Sequence, residues 1–229
     1  MRQSLGDCAP LSEHRSARRG TWANALPPVF GDGGCSGPAA IERLSQQPRI
    51  SYVRRLLSAG ESRHLVARAT AATRGGARTA PLTESGGYSS DRVLRALQRR
   101  LVALSGRAVE HFEPMTAVLC RRGQRLRPHW DAEEYPRELR DAGQSVISCF
   151  VHLTTLATED GGALVFPRLG LAVQPVAGDA VCWLNVTRFG RVLRRTLHHG
   201  DEVAGDVDKW AINVWIREPA SAAAAPRRR

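Results

Sequence analysis

The sequence predicts an α+β chain that is mainly β: a double-stranded β-helix, a jelly roll of the cupin-like kind, with N-terminal helices packed outside it. Three observations lead there. Two segments with apolar residues at helical spacing come first; beyond Gly106 the hydrophobic period falls to two; and eight short alternating runs follow one another to residue 218. Many short strands of this kind close best as a double sheet, whose interior can hold a small ligand.

Residues 1–47 mix Arg, Ser, Gly and Pro without sustained periodicity and are expected to be a disordered leader. From Pro48 the texture changes, because ISYVRRLLS looks like a strand running into a helix and GESRHLVARATAATR keeps helical spacing. A Gly/Ser/Thr-rich loop separates it from DRVLRALQRRLVALSG, where Asp91 is a natural N-cap and Val93, Leu94, Leu97, Leu101 and Leu104 form one stripe that ends at Gly106. The strand candidates are PMTAVLC, RLRPHWD, SVISCFVHLT, ALVFP, LAVQP, DAVCWLNV, RTLHH and KWAINVWIRE. One domain over 48–218 and a tail over 219–229 complete the organisation.

Composition narrows the function classes only a little. At 42% hydrophobic, 229 residues suffice for one core. The net charge is +11, yet Lys209 is the single lysine among 33 basic residues, so the charge reads as a general preference for Arg and a solvated basic surface. A nucleic-acid partner is not expected on that basis, although the charge leaves it open. No stretch has the 18 or more apolar residues of a membrane helix, and no good signal-peptide cleavage site follows the one weak candidate near Trp22. Five cysteines form no CxxC pair, and Cys149 and Cys182 lie in apolar runs where cysteine packs as a small hydrophobe, which favours a reducing compartment and the cytoplasm by default.

The chemistry concentrates in HWD. On a strand, alternate side chains share a face, so His129 and Asp131 can grip one ion. Neighbouring strand residues face opposite ways, so either His198 or His199, 67 or 68 residues after Asp131, can add a third ligand. Two imidazoles and a carboxylate suit Fe(II) and leave positions open, while a zinc hydrolase with mixed ligands is the alternative. In KWAINVWIRE, Lys209 shares a face with Ala211, Asn213 and Trp215. A lone ammonium aimed into a barrel needs an anion, and a ligand carboxylate would serve; the plainer reading is an exposed strand lysine.

The pieces RRGQRLRPHWD, GGALVFP, AVQPVAGDAVCWLN, LHHGDEV and DKWAINVWIRE, in that order and spacing, resemble the catalytic half of the prolyl 4-hydroxylase family. Upstream, PRISYVRRLLSAGESRHLV, ARTAPL and RVLRALQRRLVALSGRAVEHFEPM resemble its helical N-terminal part, so the likeness covers about 48–218. The resemblance implies an Fe(II)- and 2-oxoglutarate-dependent dioxygenase that uses O2, releases succinate and CO2, and draws on ascorbate. Carried onto this chain, it implies iron on His129, Asp131 and His198, and the distal carboxylate of 2-oxoglutarate on Lys209. It further implies a proline-containing peptide or protein substrate, with Arg78 and Trp215 in its groove and the segments 74–90 and 132–144 as lids. By family analogy the endoplasmic reticulum is the expected compartment if a leader precedes the chain.

Departures from the family leave the iron positions intact but bear on substrate preference and, to a lesser degree, on turnover. Cys120 and Leu126 stand where the family commonly carries tyrosines that position cosubstrate and substrate, and His152 stands in place of another Tyr, where it is expected to be a packed or hydrogen-bonded strand histidine. The replaced tyrosines leave two rival readings: the same chemistry on a nucleic-acid base or another protein side chain, or a non-catalytic module that keeps the barrel.

Overall fold

The structure is a computed structural model and describes residues 40–73, 77–84, 88–133 and 143–218. Eleven strands are described: β1 (Ala40–Ser45), β2 (Ile50–Arg54), β3 (Thr79–Pro81), β4 (Thr116–Cys120), β5 (Leu126–His129), β6 (Gln144–His152), β7 (Leu164–Phe166), β8 (Leu171–Val173), β9 (Ala180–Leu184), β10 (His198–Gly200) and β11 (Lys209–Glu218). They form two antiparallel sheets. The larger has the order β1-β2-β9-β6-β11-β4-β3 and the smaller β5-β10-β7-β8. All eight strands expected beyond Gly106 are present, and the mainly β, two-sheet architecture is the one the hydrophobic period predicts.

Among the described residues two α-helices accompany the strands, and each is set by local chemistry. Helix α1 (Ala59–Ala72) starts at Ser58, whose side chain accepts from the Glu61 amide at 3.2 Å while the Glu61 carboxylate accepts from the Ser58 amide at 2.8 Å. Helix α2 (Arg92–Ser105) starts at Asp91, which accepts from the amides of Val93 and Leu94, and it stops at Gly106, whose φ of 67° a glycine adopts without strain. Arg100 on α2 reaches Glu61 on α1 at 2.8 Å with both side chains mostly buried, so the helices are tied by a pair that also belongs to the α1 cap.

Period two explains where the cores sit. On β6, Ile147, Cys149 and Val151 join the helix residues Leu65, Ala69, Leu94, Leu97 and Leu101 and the β11 residues Trp210, Ile212, Val214 and Ile216 in one buried cluster. The alternate residues turn inward: Phe150 and Ala211 meet Tyr52, Val181 and Trp183 from the same sheet and Leu164, Phe166, Leu171 and Val173 from the smaller one. The sheets therefore share an apolar inner layer, and everything on the Ser148/Phe150/His152 and Lys209/Ala211/Asn213/Trp215 faces looks into it.

The structure corrects two expectations. The chain is already ordered within the supposed leader, because β1 pairs with β2 over Ala40↔Arg54 and onward and Glu42 accepts from Arg54 at 2.9 Å. Its residues AIERLS lack clean alternation, so a strand held by its partner left no periodic signal. Cys149 and Cys182 are also not independent small hydrophobes: they are directly opposed across β6 and β9, with Cα atoms 4.1 Å apart, and the structure records a disulfide between them. That pairing removes the argument for a reducing compartment. No helix among the described residues is long and apolar enough to cross a membrane.

Since Leu97 is fully buried at the centre of the helix–sheet cluster, Leu97→Ala should lower the free energy of unfolding by about 2–5 kcal/mol. Denaturant titration should show an earlier midpoint with an unchanged slope.

Candidate active site

One strand pairing assembles the centre. β5 ends on His129, Asp131 follows two residues later, and β10 lies antiparallel to β5 with His198 opposite His129. Ligand atoms of His129, Asp131 and His198 all lie within 4.8 Å of one another, and among the described residues these three form the metal-competent cluster. The two imidazoles face each other with centroids 4.3 Å apart. His199, the other candidate, instead pairs with Val165 of β7 and lies outside the cluster.

The protonation of both rings follows from their backbone partners. His129 Nδ1 lies 2.8 Å from the Arg127 carbonyl and His198 Nδ1 lies 3.0 Å from the Thr196 carbonyl. A carbonyl only accepts, so each Nδ1 carries the proton and each Nε2 presents its lone pair. Those Nε2 atoms stand 3.5 and 3.8 Å from the two Asp131 oxygens, long for hydrogen bonds and suited to atoms that share one ion. Asp131 is aimed in turn by Ser148, whose hydroxyl donates to Oδ2 at 2.6 Å while accepting from Asn185 Nδ2 at 2.8 Å. A donor set of two imidazoles and one carboxylate, with outer partners already in place, fits Fe(II).

Burial and charge sharpen the picture. Burial alone would raise Asp131, but the flanking His129 and His198 rings and the Ser148 hydroxyl together hold its carboxyl below the usual range. The adjacent Asp131 carboxylate raises His129 despite partial desolvation, whereas burial against Trp183 and Phe166, 4.8 and 5.7 Å away, lowers His198. His129 is 44% exposed while Asp131 and His198 are about 5% exposed, so the centre opens to solvent on the His129 side.

Lys209 lies deeper, on the inward face of β11 opposite Cys120 of β4, and is 2% exposed. Its ammonium stands 5.4 Å over the Phe150 ring, and among the described residues it has no ion pair. Burial pulls the amine down to about 8. The exposed strand lysine of the plainer reading is thus excluded. Cys120 and Leu126 pack with Val118, Leu156 and Val203, so small apolar side chains wall this end of the interior.

Trp215 lies opposite Ser148, the residue that aims Asp131, on the neighbouring strand. Arg78 is exposed but not free: its guanidinium donates to the Arg125 carbonyl at 3.1 Å and approaches the Cys120 sulfur at 3.6 Å, beside the Lys209 position. Trp130, between the two ligands, carries Arg168 and Arg194 over its ring at 5.2 and 5.8 Å on the rim. Most of the segment 132–144 and parts of 74–90, expected as lids, lie outside the described residues. Sequence reasoning missed Ser148 and Asn185, because their role depends on which strands pair; of the two readings of His152, packed or hydrogen-bonded, the structure shows the packed one, with neither ring nitrogen bonded among the described residues.

Residues 115–217 match the model of the 2OG-Fe(II) oxygenase superfamily. The chain is 26% identical over 211 residues to a probable prolyl 4-hydroxylase 10 of Arabidopsis thaliana, covering 77% of this chain and 71% of that protein. It is 30% identical over 130 residues to prolyl 4-hydroxylase subunit alpha-2 of Gallus gallus, covering 56% of this chain but only 24% of that one, so it spans about a quarter of that relative. The fold is similar to that of a viral collagen prolyl hydroxylase from Paramecium Bursaria Chlorella virus-1, in its 2OG complex, with a TM-score of 0.61, 20% identity, and coverage of 81% and 98% of the two chains.

If Ser148 aims Asp131, Ser148→Ala should weaken Fe(II) or Mn(II) binding about 10- to 100-fold while leaving the melting temperature of the metal-free protein nearly unchanged. Metal titration by calorimetry reads the first quantity and thermal unfolding the second.

Proposed function

We propose that the chain is a 2OG-Fe(II) oxygenase of the prolyl 4-hydroxylase type and that it hydroxylates proline within a peptide or protein. One oxygen atom of O2 goes to the proline, and 2-oxoglutarate is converted to succinate and CO2. The observation that carries the reading is the convergence of His129, Asp131 and His198 with a buried Lys209 that has no ion pair among the described residues of the same interior.

In this reading His129, Asp131 and His198 hold the iron, which when bound supplies the redox chemistry that activates oxygen. The chain's own work is placement. Lys209 meets the distal carboxylate of 2-oxoglutarate and so fixes how far the cosubstrate reaches; a buried ammonium with an ion partner costs far less than one without. The carbonyls of Arg127 and Thr196 keep both imidazoles in the liganding tautomer, and Ser148 keeps the carboxylate turned toward them. Phe166 and Trp183 exclude water behind His198, while the open His129 side admits substrate. Trp215 and Arg78 border the substrate, and ascorbate is the reductant that returns oxidised iron to Fe(II).

With Fe(II), 2-oxoglutarate, ascorbate and a proline-rich peptide, the protein should release succinate in a peptide-dependent manner and add about 16 Da, one oxygen atom, to the peptide, and His129→Ala should lose both signals. Binding of iron and 2-oxoglutarate without any succinate would instead identify a non-catalytic module. The pH dependence has a definite sign. An amine depressed to about 8 is protonated and ready below that pH, whereas above it the incoming carboxylate must bring a proton along. The KM for 2-oxoglutarate should therefore be flat below about pH 7 and rise about tenfold per unit above pH 8, in contrast to a flat profile for Lys209→Arg.

A further inference from the structure

Besides Lys209, a second basic group faces the same part of the interior with no side-chain partner among the described residues. His152 closes β6, has no solvent exposure, and neither ring nitrogen has a hydrogen-bond partner among the described residues. Buried polar side chains are nearly always satisfied, so an imidazole with both nitrogens unmatched points to a ligand.

We propose that His152 is a second binding residue for the distal carboxylate of 2-oxoglutarate, donating a ring N–H beside the Lys209 ammonium. This rests on the cosubstrate reading above. His152 sits opposite Ala211 of β11, one inward position along from Lys209, and the small alanine leaves the space between them uncrowded. Phe150 is a common floor to both groups: the imidazole stands edge-on to its ring at 5.3 Å and the ammonium stands over it at 5.4 Å.

Neighbouring acids do not answer either group. The Asp179 carboxylate is engaged by the Tyr52 hydroxyl at 2.5 Å and the Arg55 amide at 2.7 Å, and only its backbone carbonyl meets His152, accepting from the His152 amide at 2.9 Å. From β4 the facing group is the Cys120 thiol, and Asp201 acts on Lys209 without forming an ion pair with it. Burial, with the Lys209 charge added, pushes the imidazole down to about 3, so it is neutral and always carries one N–H to give. A point charge holds a carboxylate without direction, and an imidazole donor at its side supplies the direction.

The test compares two 2-oxo acids on the full-length, Mn(II)-loaded protein by calorimetry: 2-oxoglutarate, and 2-oxobutanoate, which has the same chelating end but no distal carboxylate. The wild type should prefer 2-oxoglutarate. His152→Phe and His152→Leu, both without a donor, should each weaken 2-oxoglutarate about 10- to 100-fold and leave 2-oxobutanoate unchanged, and His152→Gln, which keeps an N–H, should recover most of the loss. Retained 2-oxobutanoate binding shows in the same experiment that the variant is folded. Donor-free variants that discriminate as well as the wild type overturn the inference alone and make the imidazole a packing group. A wild type that binds both acids equally overturns the cosubstrate reading and this inference with it.

Discussion

The site depends on one backbone register. β10 is three residues long, yet its antiparallel pairing with β5 sets His198 opposite His129 and so decides which of two adjacent histidines looks inward. A slip of one residue would turn His199 toward Asp131 and send His198 to the far face, because strand side chains alternate. The same strand is pinned on its other edge by β7, where His199 meets Val165 and Gly200 meets Leu164. Gly200 also lies against Leu126, where even a Cβ would come within 3.3 Å, so close packing at that end leaves little room for another alignment.

Around that register the interior divides by how well its polar groups are satisfied. Near His129, outer partners hold each metal-competent side chain: carbonyls fix both rings, and a serine backed by an asparagine fixes the carboxylate. Deeper in, Lys209 and His152 are buried with no acid among the described residues turned toward them. The first arrangement holds atoms still, and the second is unfavourable until an anion arrives. Stability comes from elsewhere, chiefly the cluster between the two helices and the outer face of the larger sheet, so the inner face can carry groups that a folding core would reject.

Cys120 and Leu126 illustrate how the wall around Lys209 tolerates departures. Both pack with Val118, Leu156 and Val203, away from the three metal-competent side chains. At these two positions the wall beside the ammonium offers a thiol and an aliphatic side chain and no hydroxyl donor. The Arg78 guanidinium lies against the Cys120 sulfur at 3.6 Å.

Much of this was legible in the chain itself. Period two gave all eight strands beyond Gly106, the Asp91 and Gly106 signals gave the limits of α2, and the HxD spacing gave two inward side chains, since all of these are consequences of local geometry. Pairing was not legible. That β1 is ordered, that Cys149 meets Cys182 across 33 residues, that Ser148 aims Asp131 and that the His152 ring nitrogens find no hydrogen-bond partner among the described residues all depend on which strands lie side by side. Alternation along a strand says which side chains share a face, and only the register between strands, set by long-range packing, says what each one faces.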